Sequence, residues 1–330
     1  MIVTVNEDEI TADVAARLVA AQFPQWASLP VTPVTLKGYD NTTFRLGDEL
    51  SIRLPSVSCV PQVAKEHRWL PVLARQLPLP IPEPVAMGRP GEGFPGPWSV
   101  YRWIAGETAS TGQVADLTGF ASALAGFLAA LQAIDASDGP PAGAHNFFRG
   151  GPLATWDEQT QQLIRLTADD IDAGAAASVW DTALASTWEQ APVWVHGDLT
   201  ASNMLVAGGA LHAVIDFGGV AVGDPAYDLV MEWEFFTGDS AAAFRRGLHL
   251  DEATWARGRG WALWKALVNL GKEHEGGHDT QAPAHDDLFG WRHSPRQIIG
   301  RLIADHAARG QAGLAWRGLE EGGEEVAVAG

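Results

Sequence analysis

Val195-His196-Gly197-Asp198-Leu199-Thr200-Ala201-Ser202-Asn203, followed by Ile215-Asp216-Phe217-Gly218, decides how this chain is read. An aspartate and an asparagine five positions apart, then a second aspartate opening a D-F-G triplet, are the residue types phosphoryl transfer needs, in the order it needs them. Asp198, a carboxylate on a tight loop, can orient a substrate hydroxyl and accept its proton. The amide oxygen of Asn203 and the carboxylate of Asp216 are hard donors suited to Mg²⁺, which completes its shell with phosphate oxygens and water. Any one of these residues alone is a weak signal. Type, order and spacing agreeing together is a strong one. Leu205-Val206, the Gly208-Gly209 turn and Leu211 to Ile215 read as a hairpin that delivers Asp216 at its exit.

Upstream the pattern reads as a small β-rich unit. Glu7 to Ala21 is a helix, with Ile10, Val14 and Leu18 on one face. Val34-Thr35-Leu36, Thr42 to Leu46, Leu50 to Leu54 and Trp98 to Ile104 read as strands. Gln62 to Gln76 is helical, with Pro71 expected to kink or split it. Gly38-Tyr39-Asp40-Asn41-Thr42-Thr43 is the candidate phosphate-covering loop, with Asn41, Thr42 and Thr43 facing the nucleotide, although it lacks G-x-G-x-x-G. Leu50-Ser51-Ile52-Arg53-Leu54 occupies the place of V-A-I-K but offers Arg53 for lysine; Lys37 is a substitute cation. Glu66, thirteen residues on, stands where a helix carboxylate pairs with that cation. Tyr101 to Gly106 is the expected hinge, with Tyr101 and Trp103 as nucleotide contacts. Beyond it, Val114 to Ile134 marks a long buried helix, and further helices are expected near 153–167, 174–190, 226–236, 239–247, 252–271 and 295–308.

From Val195 through Gly223-Asp224-Pro225-Ala226-Tyr227-Asp228-Leu229 the chain resembles the aminoglycoside phosphotransferase family, small-molecule kinases that share the protein-kinase fold. Gly197 in place of the arginine of H-R-D, and the G-D-P-x-x-D tail, separate this pattern from protein kinases, as does the lack of A-P-E after Asp216-Phe217-Gly218. The resemblance implies an α+β, protein-kinase-like two-lobe fold. Residues 1–102 would form a nucleotide-binding lobe of antiparallel sheet plus helix, and 103–330 a mainly helical lobe with the catalytic loop and acceptor site. It makes Asp198 the catalytic residue, His196 a brace for its loop, and Asp224 and Asp228 structural. It places the acceptor against the helices carrying Glu232, Glu234, Asp239 and Glu273, with Glu275 near them. The implied reaction moves the γ-phosphate of ATP or GTP, with Mg²⁺, to a hydroxyl of a small molecule. A cationic aminoglycoside comes first; a macrolide, a metabolite alcohol or a nucleotide-binding pseudokinase are the alternatives.

Composition narrows the setting. The 330 residues carry a formal net charge of −18, which repels nucleic-acid backbones and anionic membranes over a Debye length. A single cysteine, Cys59, excludes an intramolecular disulfide and fits a reducing cytoplasm. The first residues show no basic and apolar signal pattern, and no run reaches the length of a membrane span. His274-Glu275-Gly276-Gly277-His278-Asp279 carries ligand types for zinc, but its glycines break the helix that would fix them.

Overall fold

Thr11 opens the first helix by accepting a hydrogen bond from Val14 N, and α1 then runs Ala12–Gln22 with Ala15, Leu18 and Val19 buried. The structure, a computed structural model, describes residues 10–34, 41–275 and 292–324. The segments 1–9 and 35–40 lie outside it, so Gly38 to Asp40 of the candidate phosphate-covering loop and the substitute cation Lys37 are not described; nor are Gly276 to Asp279. Helix α1 packs on a five-stranded antiparallel sheet of β1 (Val31–Pro33), β2 (Asn41–Leu46), β3 (Leu50–Pro55), β4 (Pro84–Gly88) and β5 (Trp98–Arg102), ordered β1-β2-β3-β5-β4.

Strand alternation divides the two faces. Phe44, Leu46, Ile52, Leu54, Trp98 and Val100 form one hydrophobic cluster with α1. Ser51, Arg53, Ser99 and Tyr101 alternate with them, and from that set Arg53 and Tyr101 reach α2 (Val60–Leu73). Pro71 does not split α2; it falls in the last turn. Strand β4 is the element the sequence concealed. The sequence reading assigns no strand there; Pro84 opens β4 on the sheet edge, where proline's missing N–H is tolerated.

The larger unit is built on α3 (Leu117–Ala133), whose N-terminus is capped by Asp116 Oδ1 accepting from Thr118 N and Gly119 N. Phe120, Leu124, Phe127, Leu128 and Leu131 of α3 are buried in the second cluster. Around it stand α4 (Asp157–Leu166), α5 (Ala173–Leu184), α6 (Met231–Glu234), α7 (Gly238–Leu248), α8 (Glu252–Glu275) and α9 (Pro295–Glu324). The expected helix over 226–236 is a 3₁₀ turn, Pro225–Val230, running into α6. Two small sheets carry the loops 196–203 and 215–219. β6 (Glu107–Thr108), β8 (Met204–Ala207) and β9 (Ala210–Val214) form one, including the expected hairpin; β7 (Val193–Val195) pairs with β10 (Ala221–Gly223) in the other.

Candidate active site

The β7–β10 pair and the β8–β9 hairpin bring the loops 196–203 and 215–219 against each other. Gly197 shows how closely. Its φ is +78°, and a Cβ there would stand 2.3 Å from Gly219 O. Only glycine fits this position. His196 bridges the two loops: Asp198 N donates to its Nδ1 at 3.1 Å, so Nε2 carries the proton and donates to Ile215 O at 3.0 Å. Beneath them the buried carboxylate of Asp228 accepts from His196 N at 2.7 Å and Gly197 N at 2.9 Å. Asp224 caps the following turn through Ala226 N and pairs with buried Arg257 at 2.7 Å. Asn203 Nδ2 donates to Asp198 O at 2.9 Å, and Ile215 N donates to Asn203 O at 2.8 Å. Asp198 and Asn203 are thus tied to each other and to the residue preceding Asp216.

Asp216 itself has a left-handed backbone, φ +65°, a conformation a non-glycine residue holds only where its surroundings enforce it. Arg53 reaches across from β3: Nη2 lies 3.0 Å from Asp216 Oδ1 and Nη1 3.5 Å from Glu66 Oε1. Burial opposes ionisation of Asp216, but the charge and hydrogen bond of Arg53 outweigh it and hold the carboxyl below its usual range. For Glu66 burial wins, lifting its pKa although Arg53 and the Tyr101 hydroxyl oppose the rise. Lys65, beside Glu66, donates to Gly218 O at 2.6 Å and Val220 O at 3.1 Å and lies 3.1 Å from His145 Nδ1. Burial lowers its pKa to about 8. Helix α2 is therefore fastened to the D-F-G turn directly through Lys65 and, by way of Arg53, through Glu66.

The remaining expected residues are scattered. Asn41, Thr42 and Thr43 lie half-buried in β2, Thr43 opposite Arg53. Tyr101 spends its hydroxyl on Glu66, and the Trp103 ring lies 4.6 Å under the guanidinium of Arg45. The expected acidic wall does not form as an open surface. Glu232 is buried against Arg245 at 2.6 Å and Glu234 against Lys265 at 2.9 Å, because carboxylates inside a packed helical core need internal counter-charges. Glu273 pairs with Arg296 at 2.7 Å, and Asp239 stands exposed in the first turn of α7. Among the described residues no group of three or more His, Cys, Asp or Glu side chains could hold a metal ion. Arg149 is the residue the sequence reading missed. It donates to Asp198 Oδ1 at 2.6 Å and to Gly197 O at 2.9 Å, and no motif spacing links it to Asp198.

No helix among the described residues is long and apolar enough to cross a membrane. Comparison with known proteins adds the lineage. None of the curated protein sequences matches the chain. Among solved structures it is similar to an aminoglycoside 2'-phosphotransferase-IIIa bound to GDP, at 18% identity and a TM-score of 0.64, covering 90% of this chain and 100% of that one. A GDP and kanamycin complex of APH(2")-IIia shares 20% identity with a TM-score of 0.63, covering 89% and 98%. The macrolide 2'-phosphotransferase MphH from Brachybacterium faecium shares 21% identity with a TM-score of 0.53, covering 80% and 94%. These likenesses establish a kinase-like fold of the aminoglycoside phosphotransferase kind. A model of the phosphotransferase enzyme family matches residues 31–261, and the chain belongs to that family of small-molecule kinases.

Proposed function

We propose that this chain transfers the γ-phosphoryl group of ATP or GTP to a hydroxyl of a small molecule, with Asp198 as the base and Mg²⁺ as the required metal. The observation that carries the reading is the Arg53 bridge, which joins Glu66 to Asp216 within the same bonded network as Asn203 and Asp198. The donor set suits Mg²⁺. Asp216 is kept ionised, and the Asn203 amide, donating through Nδ2 to Asp198 O, keeps its oxygen for a hard cation. When bound, the metal neutralises phosphate charge.

The chain's own residues then have distinct tasks. Arg53 supplies positive charge on the nucleotide side, with Asn41, Thr42 and Thr43 as candidate neighbours of the phosphates and Trp103 of the base. The hydroxyl oxygen of the acceptor attacks the γ-phosphorus and the bond to the β–γ bridging oxygen breaks. The nucleoside diphosphate leaves, and the hydroxyl proton passes to Asp198. Because the transition state is loose and highly charged, positioning and electrostatics supply most of the acceleration. This reading places the protein in the cytoplasm, with neither nucleic acid nor membrane as a partner.

A screen for nucleotide consumption tests it, with both nucleotides and with and without Mg²⁺, across aminoglycosides, macrolides, sugars, sugar acids and amino alcohols. Consumption that rises with one acceptor and stops with chelator is expected. Nucleotide binding without transfer to any acceptor would instead mark a pseudokinase.

A further inference from the structure

Arg149 stands between Asp198 and an aromatic wall, on a backbone that allows it little freedom. Phe147 and Phe148 both hold left-handed φ values of 56°, a conformation that non-glycine residues keep only where their surroundings enforce it. Asn146 Nδ2 donates to Arg149 O at 2.8 Å and Gly219 O at 3.2 Å, and Asp224 N donates to Gly150 O at 2.7 Å. So anchored, the guanidinium lies 5.2 Å from the Tyr227 ring centre and 5.3 Å from that of Phe147.

The wall continues from Tyr227 to Trp261 at 5.1 Å, then to Trp264 and Trp156. Buried along it, the Tyr227 hydroxyl and the indole N–H groups of Trp156 and Trp261 have no hydrogen-bond partner among the described residues. All three can donate. Of the buried carboxylates near Tyr227, Glu234 is paired with Lys265, and Asp228 accepts from the backbone N–H groups of His196 and Gly197.

Ligand chemistry follows from that inventory. An ammonium group only donates, so a polyamine sugar reaching the partly exposed Arg149 would meet a guanidinium that offers it no acceptor. A carboxylate accepts, and a guanidinium fork receives it bidentately. We propose that Arg149 determines the specificity of this site by binding a carboxylate or comparable anion beside the acceptor's reacting hydroxyl, selecting hydroxy acids over polyamine sugars. This rests on the kinase reading and names its substrate class. The acceptor's anion replaces Asp198 as the partner of Arg149, charge for charge, which frees Asp198 Oδ1 to take the hydroxyl proton.

The test compares wild type, Arg149→Ala and Arg149→Lys on D-glycerate, D-gluconate and D-glucuronate, neutral D-glucose and cationic kanamycin. Release of nucleoside diphosphate and formation of phosphorylated acceptor are both measured. A sugar acid should exceed glucose and kanamycin in kcat/KM by about 10- to 100-fold, the range for a charged hydrogen-bonded contact. Arg149→Ala should lose that preference chiefly through KM, and Arg149→Lys should recover part of it. Preference for kanamycin or glucose, or an acid preference unchanged in Arg149→Ala, overturns the proposal. Should none of the five be phosphorylated, the wider acceptor screen decides the kinase reading, and tryptophan fluorescence titration with the three acids still decides this one. Saturable binding lost in Arg149→Ala upholds it; no saturable binding overturns it.

Discussion

Replacing Arg53 by alanine removes one guanidinium that serves two carboxylates. The side chains of Arg53, Glu66 and Asp216 are 14%, 6% and 29% exposed, so the loss falls mainly on Glu66. Stripping one partner from a buried ion pair costs about 3–5 kcal/mol, because the other charge is left in a poor solvent. Two features hold the cost near the lower end. Burial already raises the Glu66 pKa, so it can take up a proton, and Tyr101 still donates to it. Asp216, being partly exposed, regains water. About 3 kcal/mol is expected, a large share of the roughly 5–15 kcal/mol that holds a domain together. Arg53→Lys keeps the charge without the fork and should lose about half as much. Urea denaturation followed by tryptophan fluorescence reads the stability, and calorimetric titration of Mg²⁺-nucleotide reads affinity. Affinity should fall most in Ala and partly return in Lys. An alanine variant as stable as wild type would refute the bridge. Equal nucleotide affinity in all three proteins would mean that the nucleotide's cation comes from elsewhere.

Other expectations follow from the same contacts. Gly197→Ala must hold a left-handed backbone and push Gly219 O away from its 2.3 Å approach; it should lose at least ~2 kcal/mol of stability, from the left-handed cost plus the displaced turn, and far more activity. Wild-type turnover in that variant would show that the two loops do not need their present spacing. Lys65, with its pKa lowered to about 8, makes a pH-dependent contribution. Between pH 8 and the ordinary lysine value the unfolded chain keeps the proton and the folded chain releases it, so stability from this group rises with pH. Lys65→Met should erase that rise, and parallel stability–pH curves for the two proteins from pH 8 to 10 would contradict it.

Local spacing made the candidate site legible in the sequence. The loop from His196 to Asn203, the hairpin and Asp216 lie within a few turns of chain, and each residue type suits its neighbours. Arg53 and Glu66 were readable for the same reason, as a strand and a helix in a familiar order. What escaped depends on distance along the chain. Glu232 and Glu234 each read as a solvated helix residue in the sequence; the structure buries them against Arg245 of α7 and Lys265 of α8. Arg149 reaches Asp198 from 49 residues upstream, out of a loop with no periodicity. Strands β7 and β10 span three residues each, too few to show alternation, and are held by pairing with each other. β4 is short and opens on Pro84, which its edge position permits.

The central claim is that Asp198 accepts the proton of an acceptor hydroxyl in phosphoryl transfer. Steady-state turnover of wild type and Asp198→Asn, with saturating Mg²⁺-nucleotide and the best acceptor from the screen, tests it most directly. Asparagine keeps the size of the side chain and removes its capacity as a base. The account predicts a fall in kcat of at least ~10²-fold, the lower range for general acid–base catalysis, with nucleotide affinity little changed. Near-wild-type turnover in Asp198→Asn would contradict it.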